Sequence, residues 1–115
     1  MRTKQILTND WRRTLDTLSR SYDGALVSLE IVGGDVGAEE EFRDQPLRGI
    51  TSDRSGVTVQ IASLDHHVAR PQKLRIVESE EGAVMAIEIE DADGMHSFLR
   101  FRSPMRPELL DPAVE

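Results

Sequence analysis

With no cysteine in the chain, disulfides, thiolate catalysis and cysteine-ligated zinc are all excluded. Metal or acid–base chemistry would have to come from three histidines, the carboxylates and the arginines. Two of the histidines are neighbours in LDHHVARP, residues 64–71, next to Asp65. In extended backbone, successive side chains point to opposite faces, so His66 and His67 cannot readily hold one ion together. Asp65 and His67 are two apart and share a face. A zinc site wants three or four protein ligands, and His96 is the remaining imidazole. The candidate metal set is therefore Asp65, His67 and His96, completed by a glutamate. The competing reading is structural. Pro71 biases Arg70 toward extended geometry and interrupts a hydrogen-bonded ladder, which makes HHVARP a polar edge strand or a link between hairpins. The structural reading is preferred, and no cofactor is expected.

The arginines form a second constellation. In RFR, Arg100 and Arg102 project from one face with Phe101 on the other. With Arg70 they make a candidate ligand-binding set for a phosphate or carboxylate, to which Arg48 and Arg75 could add charge. Local compensation on a wet sheet face competes with this: the expected register sets His96 opposite Glu90 and Glu88 diagonal to Arg100. Such exposed pairs contribute only about 0–1 kcal/mol each. No catalytic residues are assigned. The chain has no G-x-S-x-G elbow, and GGDVGAE lacks both the dinucleotide-binding glycine spacing and the lysine of a phosphate loop. The acidic run Glu39–Glu41 lacks EF-hand spacing and reads as a solvated edge.

The elements that must position these residues are legible in part. Trp11, Leu15, Leu18 and Tyr22 recur at four, three and four residues, which is one face of a helix over residues 9–21, ended near Gly24. Apolar alternation then predicts strands in ALVSLEIV, LRGITSD, VTVQIAS, KLRIVES, AVMAIEIED and MHSFLRFRS. DVGAEEEFRDQ stays ambiguous between a loop and an edge strand. A turn at Glu81-Gly82 would set Ile76 against Ile87 and Leu74 against Ile89. A three-residue loop, Ala92-Asp93-Gly94, would set Ile87 against Leu99 and Met85 against Phe101. A four-residue loop would put Arg100 against Met85 instead, so side-chain chemistry selects the shorter one.

The fold class expected is α+β, mainly β: an N-terminal helix packed on a curved antiparallel meander of five to six strands, open or closing into a small barrel. Residues 1–8 read as an N-terminal arm, 9–103 as one domain, and 104–115, which hold most of the prolines, as a loosely held tail. At 115 residues a single domain is the natural expectation. The formal net charge of −7 argues against nucleic acid and against anionic membrane surfaces. The first residues carry no apolar run of the secretory type, and no stretch reaches membrane-spanning length, so a cytoplasmic location is expected.

Trp11 early in an amphipathic helix, SYDG, QPLRGI, HHVARP, and DADG leading to FLRFRSP occur in this order. Over residues 8–104 the chain resembles a short bacterial family catalogued only as a domain of unknown function. The resemblance implies a small single domain and no activity. It also implies a histidine where Tyr22 stands, so a functional role at that position is not expected to carry over. The function expected is a non-catalytic module that binds a protein partner or itself; the alternative is a ligand- or metal-binding accessory protein using histidines and arginines of the sheet.

Overall fold

Eight strands, one α-helix and two short 3-10 turns make up residues 1–102, the part that the computed structural model describes. The strands are β1 (Arg2–Ile6), β2 (Leu26–Gly33), β3 (Gly37–Asp53), β4 (Gly56–Ile61), β5 (Asp65–Val68), β6 (Pro71–Glu78), β7 (Val84–Asp91) and β8 (His96–Phe101). The helix, α1, spans Trp11–Ser21. All strand pairs are antiparallel, in the order β1-β6-β7-β8-β2-β3-β4-β5. The expected class holds, but the meander of five to six strands does not. The stretch read as a tail, 104–115, lies outside the described residues.

The extra strands come from segments whose apolar pattern is weak. β1, RTKQI, sits in the stretch read as an arm and has one partly buried residue, Ile6. It is held by its ladder to β6 and by Glu78, which meets Arg2 at 3.0 Å and Lys4 at 3.3 Å. Burial alone would raise the Glu78 carboxyl, but the hydrogen bonds from Arg2 and Lys4 outweigh it and hold the pKa below its ordinary value. The ambiguous acidic segment and LRGITSD are one strand, β3. Its first half pairs with β2 and its second with β4. Between the halves the register slips around Leu29 and Asp44 takes a φ of +51°, where its N–H bonds Ser28 Oγ at 3.0 Å. These bulges turn the strand, and Pro46 follows directly.

The sheet is not closed, since β1 and β5 are unpaired edges. It is nevertheless strongly curled. Six strand steps separate β6 from β5 in the sheet order, roughly 29 Å if flat. Yet only Ala69 and Arg70 join them, and three Cα steps reach at most about 11 Å. Curling gathers the inner faces into one core in which Leu29, Leu47, Ile50, Leu74, Ile87 and Leu99 are almost completely buried.

The helix closes this core over β3 with the predicted stripe, Trp11, Leu15, Leu18 and Tyr22, all buried. Their polar atoms are satisfied. Trp11 Nε1 donates to Ile6 O at 2.9 Å, and the Tyr22 hydroxyl accepts the Val84 N–H at 3.3 Å while its ring packs edge-on against Phe101. Ser19 Oγ accepts the Ile50 N–H at 2.8 Å and shares its proton between the Leu15 and Ile50 carbonyls. After the helix, Gly24 at φ +85° reverses the chain, and its N–H bonds Leu47 O at 2.8 Å.

The hairpin β6–β7 has the expected pairs Ile76–Ile87 and Leu74–Ile89. Its turn is longer than Glu81-Gly82: Ser79 N–H bonds Ala83 O, and a slip after Val77 absorbs the extra residue. The hairpin β7–β8 has the expected loop, with Ile87 opposite Leu99 and Gly94 at φ +81°, but its register ends at Ala86–Arg100. The slip in β7 skips Met85, expected to face Phe101, and buries Val84 in its place. Asp91 Oδ1 fixes that loop by accepting the N–H groups of Asp93 and Met95. Among the described residues no helix is long and apolar enough to cross a membrane.

Candidate metal centre

Alternation along β6, β7 and β8 sends Leu74, Ile76, Ile87, Ile89 and Leu99 inward, so Arg75, Glu88, Glu90, His96 and Phe98 must lie on the outer face. The register brings these together: Arg75 faces Glu88, Glu88 faces Phe98, and Glu90 faces His96. His96 Nδ1 lies 2.6 Å from Glu88 Oε2. Arg75 spans both carboxylates, with Nη1 3.1 Å from Glu88 and Nη2 3.3 Å from Glu90. The ring of Phe98 stacks near-parallel to the imidazole, centroids 6.0 Å apart, and Arg100 lies over Phe98 at 5.2 Å.

The expected pairing of His96 with Glu90 holds for the backbone and not for the imidazole, which bonds the diagonal Glu88. Cross-strand diagonals lie within reach of long side chains, and Glu90 is engaged by Arg75. One donor atom from each of Glu88, Glu90 and His96 lies within 4.8 Å of the others. The cluster is half sheltered: Glu88 keeps 14% of its side-chain exposure and His96 32%. Chemically it offers two oxygen donors and one nitrogen donor, a set that suits zinc or another first-row dication and leaves further positions for water.

Of the sequence-derived metal set, only His96 takes part. Asp65 and His67 lie on β5, with β4, β3 and β2 between them and β8. Both nitrogens of His67 are in use: Nε2 is 2.9 Å from Ser55 O and Nδ1 is 2.9 Å from Thr58 Oγ1. A carbonyl only accepts, so Nε2 carries the proton and Nδ1 accepts from the threonine. His66 does point the opposite way. It faces Val59 on the core side, and burial pushes its pKa down; Glu41 opposes that shift and His67 adds to it.

The three arginines of the ligand set do not converge. Arg70, at φ +52° in the β5–β6 link, pairs with Asp93 at 2.9 Å beside the β7–β8 loop. Arg100 and Arg102 are at the other end of that hairpin. Arg100 bonds Glu30 at 2.7 Å, and Arg102 stands 3.9 Å from Asp44. The sequence reading did not assign Glu88 and Glu90 as ligands. Their signal in the sequence is a Glu-x-Glu pair on one face of β7 opposite a histidine, a pattern that also fits plain charge compensation.

Fold and cluster together define a class: a helix-capped, curled antiparallel sheet with a Glu/Glu/His/Arg cluster on its outer face. Residues 2–109 match a family of unknown function, DUF5335, and the chain belongs to that family. It is also 30% identical over 105 residues to an uncharacterized protein of Aquifex aeolicus (strain VF5), covering 89% of this chain and 94% of the relative. The bacterial family expected from the motif order is thus found at the level of the family. No solved structure matches the chain.

Proposed function

We propose that this domain is a metal-binding accessory protein whose ligands are Glu88, Glu90 and His96. The observation that carries the reading is the convergence of their donor atoms within 4.8 Å on adjacent strands. Strands are rigid supports, so little order must be imposed when an ion enters. Arg75 is the resident counter-cation, and it keeps two neighbouring carboxylates compatible with a half-sheltered site when no metal is bound. An ion with imidazole affinity competes best, which favours zinc over magnesium or calcium.

Calorimetric titration of untagged protein with zinc tests the proposal. One saturable site is expected, weakened tenfold or more in His96→Ala and in Glu88→Gln. No saturable binding, or binding that both variants retain, rules it out. Self-association, part of the main expectation from the sequence, draws support from the unpaired edges of β1 and β5. Arg2 and Lys4 place charge on the β1 edge, a common protection against strand addition.

A further inference from the structure

We propose that the groove beside Phe98 binds a small amphiphilic monoanion, a carboxylate with an aliphatic body, and that it does so without a metal. The outer face of this acidic chain ought to be covered with charge. Beside the β6–β7 turn, where the β7–β8 hairpin is open, it is instead apolar, with Val77, Met85, Ala86 and Phe98 lining a groove of about 440 Å³. That volume falls in the range of about 300–1,000 Å³ usual for small-molecule sites.

Val77, Ala86, Phe98 and the arginines have definite parts, while Met1, Met85 and the inward-facing Phe101 complete the lining. Val77 faces Ala86 across β6 and β7, and the small Ala86 side chain keeps the floor low between Val77 and Arg100. Phe98 is the wall shared with the metal cluster, held by its stack with His96 and its contact with Arg100. The cations at the groove supply the polar contact that a purely apolar ligand could not use. Arg102 is the more available: its side chain is 61% exposed and its contact with Asp44 is a loose 3.9 Å. Arg100 is already committed to Glu30. A planar guanidinium matches a carboxylate with two parallel hydrogen bonds. The neighbouring Glu30 and Asp44, in a chain of net charge −7, repel multiply charged anions, so the site selects a monoanion over a phosphate dianion.

The test is an NMR titration of the full chain with decanoate in EDTA, with decanol as the neutral comparison. Saturable shifts at Met85, Ala86 and Phe98 are expected, with decanol at least fivefold weaker. Ala86→Phe, which fills the floor, should weaken decanoate tenfold or more; Arg102→Gln should weaken decanoate threefold or more and leave decanol unchanged. Should Ala86→Phe fail to fold, the exposed Arg102→Gln decides the matter. No saturable binding, equal binding of decanol, or binding that Arg102→Gln retains overturns the proposal. So do nuclear Overhauser contacts that put a second copy, or Leu109 and Leu110 of the same chain, in the groove. Because EDTA is present throughout, this outcome is separate from the zinc titration.

Discussion

The two places where histidine meets carboxylate in this protein follow opposite logic. At the β5 edge, Asp65, His66 and His67 are consecutive in the chain and are scattered by it: the strand pleat sends His66 toward the core and His67 toward Thr58 and Ser55. On the outer face of β6–β8, Arg75, Glu88, Glu90 and His96 are spread over 22 positions, and register gathers them within bonding range. In a sheet, convergence runs across strands, so closeness in sequence is a poor guide to a site and like-facing pairs in register are a good one.

The largest expected contrast is in zinc affinity. His96→Ala should weaken binding ten- to a hundredfold, about 1.4–2.8 kcal/mol, while His67→Ala leaves it unchanged. Equal losses in the two variants would erase the distinction between the regions. Arg75→Met sharpens the comparison from the other side. Without zinc it leaves Glu88 and Glu90 uncompensated in a half-sheltered place, so urea unfolding should show a loss of about 1–2 kcal/mol. With saturating zinc the loss should shrink or reverse, because the ion then binds without displacing a guanidinium. A variant as stable as the parent in both conditions would mean that Arg75 is no counter-ion. His67→Ala, in turn, should cost about 1 kcal/mol with or without zinc, since it gives up the bonds to Thr58 and Ser55.

The same contrast explains which parts of the fold were legible. The helix could be placed because Trp11, Leu15, Leu18 and Tyr22 repeat at one period over three turns. The β7–β8 hairpin could be registered because a one-residue slip would drive Arg100 into the core. β1 could not, because RTKQI offers almost no apolar alternation, and its attachment rests on backbone pairing and on Glu78. β3 was split in two because Pro46 and the acidic run look like interruptions; a bulge at Asp44 lets the strand turn through them. The site was half legible for a related reason. Register predicts which Cα atoms face each other, and it placed His96 across from Glu90. It does not predict rotamers, and those are set by Arg75 drawing on both carboxylates and by Phe98 stacking on the imidazole.

The smallest effect expected belongs to His66, and its sign follows from where the side chain points. Facing Val59 on the core side, the imidazole is neutral in the folded state by preference, because burial penalises its charged form and lowers its pKa from the ordinary 6.5. Unfolding frees it to bind a proton, so between the two pKa values the unfolded chain holds more protons than the folded one. Stability from this residue is therefore fully present above about pH 6.5 and is lost as pH falls through the folded value. His67, with Nδ1 and Nε2 already bonded, is the natural control on the same strand. A His66→Gln variant should lose part of the fall in melting temperature between pH 7 and pH 5. His66 should also stay neutral to lower pH than a model imidazole in a titration followed by its ring proton shifts. A ring that protonates at or above pH 6.5 would remove the core-facing histidine from the account of this edge and leave the β5 strand to its ladder with β4, the buried Val68 and the bonds of His67.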